Sequence, residues 1–309
     1  MSIFTKLTLC IAILLCINAT ATAQFYFYND KYYEDDVTFE IGGSAGIMNC
    51  LTDIGGKKGI GKGFIKDLNG KNTQMAYGGY MEALYKHTIG LRLEGTFGKL
   101  KAYDSILSGD NSDAKNRYYR NLNFKTNISE FSAMLELHPL FLKTFDITDD
   151  VVPRFSPYLL AGIGFFRYKP QGYLNGAWID LQPLRTEGQG FTEYPDKKQY
   201  SLSQMNVPLG IGLKYELGSL LSARFEILHR VLFTDYLDDV SGKYIDPTTY
   251  NNNLTPANAT KAMAWYNQTI GPTPANYTAD NIRGNTKRND SYFTVNLKLG
   301  IVLNRTRIR

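Results

Sequence analysis

The 309-residue chain has little of what staples small folds or builds catalytic centres. It has three cysteines, and two of them, Cys10 and Cys16, fall in the first apolar run. Cys50 is then alone, which excludes an intramolecular disulfide and a cysteine metal cluster. Three histidines are present, and no Ser/His/acid set emerges from their positions. His87 sits in a tight turn, His138 precedes Pro139 at a strand end, and His229 falls on an apolar strand face, so each reads as structural or interfacial. After the first apolar run no stretch is long enough to span a membrane as a helix. The formal charge of +5 is small for this length and spread along the chain, which gives no reason to expect a nucleic-acid partner.

The start of the chain reads as an export signal. Lys6 precedes the apolar run Leu7 to Ile17, and Ala21-Thr22-Ala23 is a small-residue cleavage site. The expected leader is 1–23, followed by a periplasmic segment over 24–36. Tyrosine, at 22 residues, and glycine, at 28, are abundant in the remainder. A secreted chain of this kind is either a soluble periplasmic β domain or an outer-membrane barrel.

Periodicity chooses between them. Eight segments alternate or nearly so, at 37–47, 74–86, 88–100, 128–138, 157–168, 203–217, 220–233 and 291–303. The fifth is apolar on both faces and ambiguous. Short connectors, Lys86-His87-Thr88 and Gly218-Ser219, alternate with long ones, apart from a medium turn at 139–156. This parity places both termini in the periplasm and the long loops outside. The expected fold is all-β, an eight-stranded antiparallel transmembrane β-barrel with long extracellular loops. The barrel covers 37–303, and a basic tail covers 304–309. The longest loop, 234–290, is rich in Asn, Thr, Pro and Ala and reads as a partly flexible surface loop with a short helix near Pro256–Tyr266.

The polar faces carry Glu40, Glu82, Arg92, Glu94, Glu130, Glu136, Lys214, Glu216, Arg224, Glu226, Arg230 and Lys298. Both signs occur in comparable number. In a barrel of eight strands these side chains face a narrow interior, where charges must pair. The expectation is a closed lumen, not an open pore.

Two other constellations resemble ligand sites. Gly55-Gly-Lys-Lys-Gly-Ile-Gly-Lys-Gly63 lacks the Gly-Lys-Ser/Thr ending of a phosphate loop and reads as a basic surface loop able to touch lipopolysaccharide. Asp235, Asp238 and Asp239 offer carboxylates for a divalent cation, but not at EF-hand spacing. A hydrogen-bonded cluster that locks the long loop at the rim is the reading adopted, so no metal and no cofactor are expected.

Three stretches resemble the PorG-like outer-membrane barrels of Bacteroidota, a family associated with type IX secretion. They are Phe39-Glu-Ile-Gly-Gly-Ser-Ala-Gly46 with Asn49, Leu51 and Asp53; Ser156-Pro-Tyr-Leu-Leu-Ala-Gly-Ile-Gly164; and Arg224-Phe-Glu to Arg230 with Thr234-Asp-Tyr-Leu-Asp-Asp-Val-Ser241 and Tyr244. Cys50 and Thr52 stand where the family has an aromatic residue and a glycine. The family motif falls on Asp53, Thr234, Asp235, Tyr236, Asp238 and Asp239. The resemblance implies a non-enzymatic component of the envelope that anchors secretion machinery. Its partners would be outer-membrane lipid, lipopolysaccharide and periplasmic secretion-ring proteins. A small barrel of another role, in surface binding, adhesion or narrow conduction, is the alternative.

Overall fold

In the computed structural model, residues 32–33, 36–56, 69–109, 114–142, 154–218, 220–266, 268–270, 281–304 and 306–307 are described. The leader expected over 1–23, most of the 24–36 segment, the basic stretch from Lys57 to Gly63 and residues 305, 308 and 309 lie outside them.

Eight long strands follow one another in the described chain: β1 (Val37–Leu51), β2 (Gln74–Tyr85), β3 (Ile89–Tyr103), β4 (Asn123–Leu137), β5 (Phe155–Arg167), β6 (Ser203–Glu216), β7 (Leu221–Leu232) and β8 (Ser291–Val302). Each pairs antiparallel with its neighbours in sequence. The β8–β1 and β3–β4 ladders leave no open edge. This is a closed up-and-down barrel, an architecture in which every backbone group along the wall finds a partner.

Side chains alternate in and out along each strand. Phe39, Ile41, Met81, Leu91, Leu93, Phe131, Leu135, Leu159, Ile163, Leu209, Ile211, Leu297 and Leu299 all point outward and are exposed. A belt of this extent around a whole molecule does not suit water. On β3 it runs from Ile89 to Phe97, which at strand rise and barrel tilt is about 20 Å, close to the height of a bilayer's apolar core. Aromatic residues border it, with Phe39, Tyr85, Phe155 and Tyr215 towards the short turns and Tyr77, Phe97, Phe131 and Phe165 towards the long loops. The wall is therefore a transmembrane one, crossed by strands; among the described residues no helix is long and apolar enough to cross.

Strands of 12 to 15 residues exceed the crossing length. The excess lies on the loop side, where the alternation changes phase. Met48, Leu100, Ala102, Phe124, Ile128 and Phe166 point inward there, while Lys99, Lys101, Lys125 and Arg167 point outward. β1 consequently runs on to Leu51 rather than 47. β4 begins at Asn123 rather than 128, since its first five residues follow the inverted pattern of a wall that has left the bilayer.

The β2–β3 connection is a tight turn in which Lys86 and His87 take φ of 45° and 54°. Two left-handed central residues match the twist of a hairpin. On the same side Tyr32–Tyr33 pairs antiparallel with Thr306–Arg307.

The loop side carries a folded cap. It contains α1 (Ala114–Arg120), α2 (Thr249–Asn253), α3 (Pro256–Tyr266) and a short hairpin of Gln171–Leu174 with Ala177–Asp180. The long segment expected to be a partly flexible surface loop is, in its described part, packed. Leu237, Val240, Ile245, Tyr250, Ala262 and Trp265 are all buried in one core with Leu181, Leu184 and Phe191. Its polar composition hides these anchors because they recur at no fixed period.

Inside the wall, small residues face large ones. Tyr158 lies over Gly212, where an added Cβ would come within 2.2 Å of the ring, and Tyr80 fills the space beside Gly42 and Gly300. Gly212→Ala should therefore cost about 1–3 kcal/mol through overpacking, measured as a fall in the urea midpoint of protein refolded into vesicles, with the barrel still forming.

Candidate functional site

The lumen is filled by an ion network. Glu40, Glu82, Arg92, Glu94, Glu130, Glu136, Arg224, Glu226, Arg230 and Lys298 are essentially inaccessible, and Lys214 nearly so. Arg224 on β7 contacts Glu40 on β1 at 3.0 Å, Glu136 on β4 at 2.7 Å and Glu82 on β2. Arg92 on β3 contacts Glu136 and, at 2.5 Å, Glu226 on β7. Lys298 on β8 bridges Glu94 at 2.5 Å and Glu226 at 2.8 Å. Lys214 lies 2.9 Å from Glu40. Arg230 pairs with Glu130 at 3.0 Å, one tier nearer the loops.

Aromatic rings sandwich the two central guanidiniums. Arg92 lies 5.2 Å from the Tyr80 ring centre and 5.4 Å from that of Tyr158, and Arg224 lies at similar distances from the same rings. The phenol of Tyr80 donates to Glu40 at 2.5 Å, and that of Tyr158 to Glu226 at 3.1 Å. The inward apolar surface of β5, which makes its pattern ambiguous, supplies this packing through Tyr158 and Leu160. Glu216 lies at the turn-side end of the lumen beside Lys214 and Arg154.

Glu82, Glu136 and His138 bring potential ligand atoms within 4.8 Å of one another. Their chemistry is already committed. Both His138 ring nitrogens are engaged, with Ser156 at 2.6 Å and Glu136 at 2.8 Å, and the two arginines hold the carboxylates. Two guanidiniums at the same point repel a cation, so the group is a node of the ion network.

The second constellation lies in the cap. Thr234, Asp235, Tyr236, Asp238 and Asp239 follow β7 directly. Asp238 accepts from the backbone N–H groups of Ile54 at 2.9 Å and Val240 at 3.0 Å, tying the loop after β1 to the loop after β7. Asp53 accepts from the Asn285 N–H at 2.7 Å. Asp239 takes φ of 67° and accepts from the Tyr200 and Thr186 hydroxyls, both at 2.6 Å. Tyr236 stacks on Tyr200 at 5.0 Å. Thr234 accepts twice, from the Tyr236 N–H through its hydroxyl and from the Asp290 N–H through its carbonyl. Asp235 is half-buried beside them.

Several partners of this motif escape sequence reasoning. Glu187 accepts from the Ser241 and Gly242 N–H groups and from Arg283 at 3.0 Å. Arg283 also donates to the Asp239 carbonyl at 2.8 Å. Arg120 grips Asp104 with two nitrogens, at 2.8 and 2.9 Å, and donates to the Asp53 carbonyl at 2.8 Å. Glu187 and Arg283 stand in loops far apart in sequence and Arg120 closes α1, so no local pattern links them to the motif.

Burial pushes Asp235 up to about 8, with the neighbouring Asp53 and Asp238 carboxylates adding to it. Burial and Asp53 do the same to Asp238, also to about 8. Asp239 is raised to about 6 by burial, with Arg283 opposing. Asp290 is raised well above the usual range by burial and by Asp238 and Asp235. The cap thus stores protons on carboxyls that an opened chain would release.

Two measurements probe these clusters. Arg224→Met leaves Glu40, Glu82 and Glu136 short of a cation and should destabilise the barrel by about 3–5 kcal/mol, read from equilibrium unfolding in vesicles. In the cap the sign follows from the raised values. An aspartate in an opened loop ionises near pH 4, and Asp235 and Asp238 do so only near pH 8. Stability from these groups is full below about pH 4 and is lost as the pH rises through 8. Hydrogen-exchange protection factors at Ile54, Leu237 and Val240, corrected for intrinsic rate, should fall between pH 5 and 8.5, and Asp235→Asn should flatten that slope.

Comparison with known proteins adds a family and a set of barrels. Among solved structures, the outer membrane protein OprG from Pseudomonas aeruginosa aligns over 88% of this chain and 99% of its own, at 8% identity and a TM-score of 0.39. Neisserial surface protein A aligns over 87% and 100%, at 8% identity and a TM-score of 0.35. Ail, the attachment invasion locus protein of Yersinia pestis, aligns over 88% and 100%, at 10% identity and a TM-score of 0.35. Scores this low carry no function across. No curated protein sequence matches the chain. A family model described as "Domain of unknown function (DUF6089)" matches residues 38–273.

Proposed function

The chain belongs to the DUF6089 family, and from that premise we propose that it is a non-enzymatic barrel of the outer membrane, a structural or anchoring component of a type IX secretion-like envelope machinery. In this reading residues 1–23 direct export and 24–36 lie in the periplasm. The cap, including 234–290, faces outside.

The observation that carries the structural role is the lumen. Charged pairs between strands three or four apart in the ring, backed by Tyr80 and Tyr158, occupy the space a solute would need. Conduction through such a tube would require several buried pairs to break together, and each break is costly. The secretion assignment rests on the resemblance carried by Arg224 to Arg230 and Thr234 to Tyr244.

The test is purification of the tagged protein from native membranes after mild cross-linking. Periplasmic secretion-ring subunits should co-purify, and planar bilayers should show no porin-like conductance. Outer-membrane recovery without ring subunits removes the secretion role and leaves an envelope barrel. Recovery in the soluble periplasm overturns both.

A further inference from the structure

The outward face of the barrel is almost free of charge, with one exception. Among the described strands, outward positions on β1, β2, β6 and β8 carry no ionisable acid or base other than tyrosine, and β7 carries only His229. Lys99 and Lys101 on β3, Lys125 on β4 and Arg167 on β5 are the outward charges that remain. They stand on three adjacent strands and carry one sign. Lys169 continues the outward series just past β5.

Their height is as specific as their sector. Phe97, Phe131 and Phe165 form the last aromatic tier of the belt, and Lys99 and Arg167 are the next outward residues on their strands. Two residues advance about 7 Å along a strand, so the cations begin where acyl chains give way to headgroups. The inward phase change at Leu100, Ile128 and Phe166 marks the same level.

The arrangement is costly as it stands. Lys101 and Lys125 are directly opposite in the β3–β4 ladder, a like-charge pairing that disfavours the sheet unless an anion lies near. The ion pair formed by this cluster among the described residues is Lys169 with Asp180, at 2.6 Å. The Lys125 ammonium lies 4.2 Å from the Trp178 ring centre, and Trp178 pairs with Tyr173 on the hairpin above. Cations over an apolar tier, flanked by an indole at the interface, suit a ligand with several negative groups above several acyl chains.

We infer that the β3–β5 face binds a phosphorylated glycolipid of the outer leaflet, with phosphates on Lys99, Lys101, Lys125 and Arg167 and acyl chains on Phe97, Phe131 and Phe165. Three strands about 4.8 Å apart, over two tiers, give a patch wider than one phosphate. A glycolipid with phosphates at both ends of a disaccharide spans it better than a single-phosphate phospholipid. The site rests on the reading of the chain as an outer-membrane barrel with its long loops outside.

Native mass spectrometry of the detergent-solubilised barrel tests it, with purified lipid A and phosphatidylglycerol as probes. The wild type should retain lipid A in preference to phosphatidylglycerol. The combined Lys99→Gln, Lys101→Gln, Lys125→Gln and Arg167→Gln variant should lose lipid A affinity by at least about tenfold. Lys287→Gln with Arg288→Gln, exposed on the cap away from the belt, should retain it. Heat-modifiable migration establishes folding in each case. A folded quadruple variant with unchanged lipid A binding overturns the site and leaves the barrel reading intact. Equal retention and equal loss of both lipids overturns the glycolipid assignment. A wild type that shows no heat-modifiable barrel and stays soluble refutes the outer-membrane reading itself.

Discussion

Arg92 and Arg224, held between Tyr80 and Tyr158 in the middle of the lumen, are the point on which the rest of the barrel depends. β3 and β7 stand on opposite sides of the ring of eight, and Arg92–Glu226 joins them directly. Arg224 to Glu136 and Lys298 to Glu94 add further struts across the bore. Such pairs gain little over an apolar filling, because taking ions out of water costs nearly what their attraction returns. Their effect is on specificity. A slip of one residue in any ladder would turn a charge into the acyl chains and an aliphatic side chain into the lumen. No partial closure of the sheet satisfies the arginines, so the pairs favour one register and one complete ring.

The cap is a second folded layer built on the first. Where the wall leaves the bilayer its inner face becomes apolar, and the loops lay Leu184, Phe191, Tyr250 and Trp265 onto it. Buried carboxyls then fasten loop to loop: Asp238 to the Ile54 N–H, Glu187 to Arg283, Asp104 to Arg120. The chemistry of the two layers differs. Lumen carboxylates are matched by cations, whereas Asp53, Asp235, Asp238 and Asp290 face one another with few.

Much of the wall was legible because a membrane strand obeys a strong two-residue period. Seven of the eight strands contain, to within a residue at either end, the segments that this period marks, and β5 contains most of the fifth, ambiguous one. β5 was ambiguous for a reason now visible, since Tyr158 and Leu160 are inward residues that pack the guanidiniums rather than meet lipid. The loop-side ends of β1 and β4 escape a fixed apolar-out template because the pattern inverts there, at Met48 to Cys50 and at Asn123 to Asn127. The inward charges could be named from strand phase alone. Their partners could not, since Arg224 meets Glu40 and Glu136 only after the ring closes. Within the cap the acidic segment after β7 is conspicuous, but Glu187, Arg283 and Asp290 belong to segments without a period, and an Asn- and Thr-rich composition conceals the packed core in the described part of 234–290.

The uneven outer face has a consequence for how the molecule sits among its neighbours. A cylinder with a uniform belt looks the same from every direction in the membrane plane, and rotation about its axis changes nothing. Here β3 to β5 present positive charge at headgroup level, while β6, β7, β8, β1 and β2 present a neutral wall. The barrel therefore has a front and a back. Turning it exchanges one electrostatic environment for another, so each adjoining lipid or protein meets a defined side.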